Sequence, residues 1–131
     1  PRSHRHQPLA MASIWHGKAW DDAFAVFRDF LSSIGIKVKQ EPKAIYENHF
    51  IAKKEIYQDY VKSCLIPAIH FCDNNPIFKE NSGYINRKKD MNEVINYQMR
   101  SGRKDWPIAP FILERLFSIW IFGKGFKVID L

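Results

Sequence analysis

The segment from Trp106 to Phe122, WPIAPFILERLFSIWIF, most constrains the fold because it is apolar on almost every side. Pro107 and Pro110 fit the first turn of a helix, where a missing backbone N–H costs little. A helix that is hydrophobic nearly all round is buried among other elements. Its narrow polar strip contains two charged residues, which we expect to be paired or exposed in a cleft: Glu114 and Arg115.

A second strong pattern lies in Tyr46–Asn75, which begins as an extended segment and continues as an amphipathic helix. Pro67 lies inside the helical part and has no N–H to donate, so we expect a kink near Ser63–Ile66. Asp73-Asn74-Asn75-Pro76 is a typical helix stop signal. Apolar residues recur here every three or four positions, which places them on one helix face: Ile56, Tyr57, Tyr60, Val61, Cys64, Leu65, Ala68, Ile69 and Cys72.

Two further helices are predicted. Ala19–Ile34 carries an apolar stripe that includes Trp20 and Phe27, and it is followed by Gly35 at the position of a left-handed C-terminal residue. Asp90 through Glu93 has the pattern of a capping box, which opens a short helix that ends near Ser101-Gly102. With the two helices above, the chain has about four.

Three short segments have the pattern of strands: Ile36–Lys39, Ile45–Ala52 and Phe126–Leu131. The sequence therefore predicts an α+β fold that is mainly helical, with about four helices and a few short strands. The 131 residues have room for one domain. Residues 1–10 are polar and basic, and we interpret them as a disordered leader or a vector-derived remnant, so that residues 11–131 form the single domain.

Composition and charge exclude several classes of protein. Hydrophobic residues make up 46% of the chain, which is too many for a disordered protein. The net charge of +6 is compatible with an anionic ligand but is weak evidence for nucleic acid. We find no signal peptide and no apolar run long enough to span a membrane, so we expect a cytoplasmic protein.

The two cysteines indicate neither a disulfide nor a metal site. Cys64 and Cys72 are eight residues apart on one predicted helix, which separates them by roughly 12 Å at about 1.5 Å per residue. That distance is beyond the reach of a disulfide, and neither cysteine has the spacing of a zinc ligand. The chain also lacks a glycine-rich phosphate loop, a nucleophile elbow, an HExxH motif and an Asp-x-Asp metal motif. We therefore identify no metal ligand and no cofactor.

Three groups of residues are candidates for binding. Asn48 and His49 lie at the mouth of a pocket if Ile45–Ala52 is an edge strand; alternatively, they are a buried polar pair that bonds local backbone. His16, beside Gly17, is either a ligand-binding residue or a loop histidine before a helix. A basic cluster either contacts phosphate or is a solvated face, and four of its residues are candidate anion ligands: Arg87, Lys88, Arg100 and Arg103.

Three motifs together resemble a bacterial glycosyltransferase-like family that is encoded with capsular and surface-polysaccharide genes. They are the segment NHFIAKKE at residues 48–55, Tyr60 in the helix that follows, and Leu113-Glu114-Arg115-Leu116. In that family a segment N-M-F-I-M-K-K-E leads through a tyrosine-containing helix to a helix with the signature S-E-R-L. The resemblance covers residues from about 15 to 131, and the chain departs from the pattern at His49, Ala52 and Leu113.

The resemblance implies the acceptor-side, C-terminal half of a GT-A-like glycosyltransferase that uses a nucleotide sugar. Asn48 would lie on the strand that faces the transferred sugar, with His49 beside it, and Glu114 with Arg115 would form a buried pair that supports that wall of the site. The nucleotide-binding half, which carries the metal motif, has no counterpart in the matched residues. We expect no catalysis by this chain alone, because the charge on the departing diphosphate would not be neutralised. Nucleotide sugar and divalent metal are expected only with such a half, and a sugar acceptor is the implied partner.

Two other functions follow from the residues themselves. The almost wholly apolar last helix could dock a partner protein or a second copy of the chain, as in a small helical interaction module. The basic cluster could bind nucleic acid, a function that the modest net charge disfavours.

Overall fold

The computed structural model of the protein describes residues 7–43, 45, 50–79, 91–102 and 106–129. These residues form helices joined by irregular connections, and no β-strand occurs within the described ranges. A π-helical turn at Val61–Leu65 joins α3 to α4 in one continuous helix, and a 3-10 turn follows at Pro76–Lys79. The helices are α1 (Pro8–His16), α2 (Lys18–Ser33), α3 (Lys54–Tyr60), α4 (Ile66–Asn74), α5 (Met91–Ser101) and α6 (Ala109–Gly123).

The mainly helical class is confirmed, whereas the predicted short strands are not seen. Residues 36–39 and 126–129, together with Ile45 and residues 50–52, lie in irregular segments without strand partners. The side chain of Ile36 is buried where the end of α6 approaches it, and the backbone of Ile45 bonds to the Ser118 hydroxyl. In the described ranges the fold is therefore helical rather than α+β. Ile36 and Ile45 contact α6 instead of pairing with another strand.

Helix α2 matches its prediction to within one residue at each end. Its aromatic stripe is buried, with Phe27 and Leu31 fully inaccessible to solvent. Gly35, at φ +82°, ends the helix as predicted: its N–H donates to the Ser32 carbonyl at 3.0 Å, and the N–H of Ile36 donates to the Leu31 carbonyl at 2.8 Å. This pair of bonds is a Schellman motif, which carries Ile36 back into the core.

The long helix from α3 to α4 departs from α-helical geometry where Pro67 led us to expect a kink. The N–H of Ile66 donates to the carbonyl of Val61, five residues earlier, instead of the usual four. The predicted stop is also confirmed, because α4 ends at Asn74 and the Asn75 side-chain amide donates to the Phe71 carbonyl at 2.7 Å. Cys64 and Cys72 are both buried and form no disulfide.

Helix α6 lies at the centre of the structure, as its sequence predicts. The seven consecutive residues from Arg115 to Ile121 are all buried. An ideal Cβ added at Gly123 would lie 2.7 Å from Ile36 Cγ2, so the end of α6 packs closely against the connection that follows α2. Because residues 115–121 of α6 are buried inside the domain, these residues do not offer a free surface for docking, and the interaction-module hypothesis stays a prediction for other surfaces.

Helix α1 corrects the predicted domain boundary at residue 10. The helix begins at Pro8, and both Pro8 and Leu9 are buried, so residues 8–10 belong to the fold. Helix α1 was not predicted because its sequence has no regular apolar stripe; Ile14 and Trp15 are about half exposed. Residues 1–6 lie outside the described part, so the interpretation of those residues as a leader stays a prediction.

Candidate functional site

The first segment that carries the family resemblance packs on α6, at the residue that follows Leu113-Glu114-Arg115-Leu116. The ring of Phe50 stacks on Phe117 of α6 with centroids 4.1 Å apart and an interplanar angle of 17°. Tyr60 meets Phe117 edge-on at 4.8 Å and lies 5.5 Å from Trp120. Phe50 and Phe117 are 67 positions apart in the chain, so this contact is a tertiary one. We call these four residues, Phe50, Tyr60, Phe117 and Trp120, the aromatic cluster.

A buried serine on α6 holds the chain just before that cluster. The N–H of Ile45 donates to Ser118 Oγ at 2.8 Å, and Ser118 Oγ lies 3.3 Å from the Ile45 carbonyl oxygen, to which the hydroxyl donates. Ser118 is 2% exposed, and its hydroxyl bonds both backbone groups of one residue. Ile45 and Phe50 are therefore both fixed on α6. Asn48 and His49 lie outside the described residues, and their binding role stays a prediction.

Glu114 and Arg115 form an ion pair, with Arg115 Nη1 at 2.5 Å from Glu114 Oε1, but it is not the buried pair that the resemblance implies. Arg115 is buried, whereas the Glu114 side chain is about half exposed. Arg115 also donates from Nε to the Pro8 carbonyl at 3.0 Å and from Nη1 to the Phe111 carbonyl at 2.7 Å. These bonds connect α6 to the first residue of α1, so Arg115 supports the fold while Glu114 presents a carboxylate to solvent.

His16 is the last residue of α1 and not part of a loop. It is 5% exposed, and its ring centroid lies 4.2 Å from that of Phe111 and 6.4 Å from that of Trp20. The interpretation of His16 as a loop residue is therefore wrong, because α1, which was not predicted from the sequence, extends to His16. The imidazole packs where α1, α2 and α6 meet, and it does not line the surface hollow described below.

Of the four candidate anion ligands in the basic cluster, only Arg100 lies within the described residues. Arg100 lies in the last turn of α5 and is exposed. Arg87, Lys88 and Arg103 lie outside the described residues. Anion binding by this cluster therefore stays a prediction that rests on the sequence.

A surface hollow of about 300 Å³ lies between α1 and α2, in residues that the sequence analysis did not single out. Its volume is at the lower end of the range typical of small-ligand pockets. Charged side chains line it, yet several already bond within the chain: Ser13 Oγ donates to Asp21 Oδ1 at 2.7 Å, and Arg28 donates to the Val38 carbonyl at 3.3 Å. The Arg28 guanidinium also lies over the Phe24 ring, 5.2 Å from its centroid.

Glu41, at the edge of this hollow, caps α1 from a distant part of the chain. Its Oε2 accepts from the N–H of Leu9 at 3.0 Å and its Oε1 accepts from the N–H of Ala10 at 2.7 Å. A carboxylate is favourable at a helix N-terminus, where backbone N–H groups have no partner within the helix. Sequence pattern could not reveal this cap, because Glu41 is more than 30 residues away from the helix it caps.

The surroundings of Cys64 and Cys72 argue against a nucleophilic role for these two thiols. Burial raises the pKa of the Cys64 thiol from 9.0 to about 12 and that of the Cys72 thiol to about 11. Burial also raises the pKa of the Tyr60 hydroxyl. These groups stay protonated near neutral pH, so neither thiol supplies a thiolate. Among the described residues, no group of three or more His, Cys, Asp and Glu side chains could hold a metal ion.

Comparison with known proteins does not assign the chain to a family. The chain matches no family model, no curated protein and no solved structure. In the described part of the chain, no helix is long and apolar enough to cross a membrane.

Proposed function

We propose that this chain forms the acceptor-side part of a nucleotide-sugar-dependent glycosyltransferase of bacterial surface-polysaccharide synthesis, and that it does not transfer sugar alone. One observation carries the proposal: Phe50 of the first motif and Tyr60, the second, both pack on Phe117, the residue directly after the third motif. Phe50 belongs to the segment NHFIAKKE, and Phe117 follows directly after LERL. Motifs that resemble one family and also pack together are expected to build one site.

Helix α6 supplies a rigid support for that site. The hydroxyl of Ser118 holds Ile45 and the ring of Phe117 holds Phe50, so both ends of the connection that carries Asn48 and His49 are fixed on one buried helix. Asparagine and histidine side chains can each donate and accept hydrogen bonds, as the hydroxyls of a sugar require. A site built on a helix is positioned more accurately than one supported by loops alone.

In this proposal, Asn48 and His49 bind the sugar, and Glu114 with Arg115 supports the wall behind them. Buried Arg115 fixes the position of Glu114, whose half-exposed carboxylate can accept further hydrogen bonds from hydroxyl groups. The nucleotide sugar and its divalent metal are assigned to a separate nucleotide-binding half. The described residues hold no carboxylate cluster suited to that metal.

Binding of acceptor saccharides by the isolated chain tests this function. Oligosaccharides from bacterial capsules and cell walls would be screened by thermal shift, with uridine diphosphate and Mg²⁺ as the comparison ligand. A saccharide at one hundred times its dissociation constant adds about 2.7 kcal/mol to the free energy of unfolding. We expect stabilisation by an oligosaccharide and none by the nucleotide. Stabilisation by the nucleotide alone would contradict the assignment to the acceptor side.

Substitution of Asn48 locates the binding residues. Asn48→Ala is expected to weaken saccharide binding about tenfold or more, because a hydrogen-bonding group that contacts the ligand is lost. Asn92→Ala, an exposed position on α5, is the matched control and leaves affinity unchanged. Equal affinity of the Asn48→Ala variant and the native chain would remove Asn48 from the site.

A second candidate function, a protein-interaction module, is favoured by one exposed surface. Ile95 and Met99 are four residues apart on α5, which places them on one helix face, and they are 46% and 79% exposed. Exposed apolar residues in one patch are typical of contact surfaces. Sedimentation velocity over a concentration series tests this function: a dimer that the double substitution Ile95→Ser and Met99→Ser abolishes supports self-association, and a monomer at every concentration argues against it.

A further inference from the structure

We infer that α1 is a hinged flap, latched at its N-terminal end, that opens as a unit while the rest of the domain stays folded. Gly17 is the hinge. It is the single residue between α1 and α2, with φ +59° and ψ −138°, a conformation that residues with side chains rarely adopt. A single permissive residue between two rigid helices is a typical hinge, because it can absorb a large change of backbone angles.

The latch lies at the opposite end of α1 from the hinge. Glu41 accepts hydrogen bonds from the N–H groups of Leu9 and Ala10, at 3.0 and 2.7 Å. Arg115 donates from Nε to the carbonyl of Pro8 at 3.0 Å. A helix of nine residues is about 13 Å long at 1.5 Å per residue. The polar contacts with Glu41 and Arg115 therefore lie at the tip of α1, far from Gly17.

Helix α1 has few apolar contacts with the core. Its polar contacts with Glu41 and Arg115 are therefore important for holding it closed. Four of its nine residues are buried, and Ala12 and His16 contribute little aliphatic surface. Ile14 and Trp15, its large apolar residues in the second half, are 53% and 48% exposed. Helix α2 buries six of its sixteen residues, and the contrast lies in their size, because four of the six are aromatic. Elements with few buried apolar contacts open at a lower free energy than the global unfolding reaction.

Opening of the flap would enlarge the hollow between α1 and α2. Leu9, Ala10 and Ser13 form one wall of the hollow, and Glu41 forms part of its edge. Trp20 and Phe24 of α2, both buried, line the same hollow, so movement of the tip of α1 about Gly17 would uncover their rings. The closed flap therefore restricts access to an aromatic surface. This inference is independent of the proposed glycosyltransferase function.

Hydrogen–deuterium exchange of the native chain at increasing urea concentration tests the flap. A nine-residue helix that is detached from the domain is marginally stable in water, so its amides lose protection when the flap opens. We expect the amides of residues 12–16 to exchange about tenfold or more faster than those of residues 24–31 and to respond weakly to urea, since little surface is exposed in a local opening. Equal rates and equal urea dependence in both helices would overturn the inference, because α1 would then open only with the whole domain.

The latch is tested by Glu41→Gln, which removes the charge at the N-terminus of α1. We expect exchange of residues 12–16 to rise about tenfold, with residues 24–31 unchanged. Glu55→Gln, an exposed carboxylate on α3, is the matched control and changes neither helix. Equal acceleration of both helices by Glu41→Gln would overturn the latch. If that variant does not fold, the urea dependence of the native chain decides between a local and a global opening.

Discussion

The ring of Phe117 on α6 stacks on the ring of Phe50, with centroids 4.1 Å apart and planes inclined by 17°. Phe117 is buried, and Phe50 is partly buried against the same core. Through this contact α6 holds the residue that follows the segment 46–49 in the chain. Ser118, the next residue of α6, holds Ile45, the residue that precedes the segment 46–49.

We predict a favourable coupling between the two rings. Phe117→Ala should lower the free energy of unfolding by about 4 kcal/mol, because it removes a buried aromatic side chain and leaves a cavity. Phe50→Ala should cost less, since the ring is only partly buried. Urea denaturation of both single variants and the double variant should give a coupling energy of about 1 kcal/mol. Strict additivity of the two effects would mean that the stacking contributes nothing.

Arg115 and Glu114 should differ in their importance for stability. Arg115→Met keeps the apolar volume but removes the donors to the Pro8 and Phe111 carbonyls, so a loss of about 2–3 kcal/mol is expected in denaturant unfolding. Glu114→Gln should cost about 1 kcal/mol or less, because this half-exposed carboxylate is well hydrated. A greater loss from Glu114→Gln than from Arg115→Met would contradict the structural role of Arg115.

Stability should fall in alkaline solution because of the buried thiols. Burial raises the pKa of Cys64 from 9.0 to about 12 and that of Cys72 to about 11, so between these values the unfolded chain has lost protons that the folded chain keeps. Their stabilisation is present below pH 9 and declines as the pH rises towards 11 and 12. Each thiol lowers the free energy of unfolding by up to about 1.4 kcal/mol per pH unit.

The variant with Cys64→Ala and Cys72→Ala isolates this effect from other alkaline titrations. Urea unfolding from pH 8 to pH 10.5 should give a less steep decline of stability in the variant than in the native chain. The same slope in both proteins would show that the thiols do not contribute.

Close approach of α6 to the connection after α2 gives a packing test. Gly123→Ala should cost about 1–3 kcal/mol, because the new Cβ would lie 2.7 Å from Ile36 Cγ2. In an Ile36→Ala background that atom is absent, and the same substitution should cost about 0.5 kcal/mol or less. Thermal or urea unfolding of the four proteins measures both costs. An equal cost in both backgrounds would rule out the steric contact as the cause.

The helices that the sequence predicts are those whose local pattern agrees with their packing. Helix α2 has an apolar stripe and a Schellman glycine, Gly35, and α6 is apolar nearly all round and lies buried. Pro67 indicated an irregularity of the helix near Ser63–Ile66, and a π-helical turn lies there at Val61–Leu65; the signal was readable because the lack of one N–H is a local property. In these cases, short-range sequence information was enough because the tertiary contacts reinforce it.

The elements that the sequence did not predict depend on distant residues. Helix α1 is held by Glu41 and Arg115, which no pattern within Pro8–His16 can reveal. The alternation in Ile36–Lys39 fits a strand, but within the described residues this segment packs against a helix and has no strand partner.

Of the candidate site, the pairing of Glu114 with Arg115 was predictable from the cost of a buried unpaired charge. The hollow beside Glu41 was not predictable, because residues from α1, α2 and the following connection meet there only in the folded chain.

The most direct test of the central claim is a ¹⁵N–¹H NMR titration of the labelled chain with capsular and cell-wall oligosaccharides. If α6 and the segment around Phe50 form the acceptor side of a transferase, a saccharide should shift the amide signals of Ile45, Phe50 and Ser118 in a saturable manner and leave those of α2 unchanged. If no saccharide in the panel shifts these signals, or if the shifts are confined to α5, the proposed function is wrong.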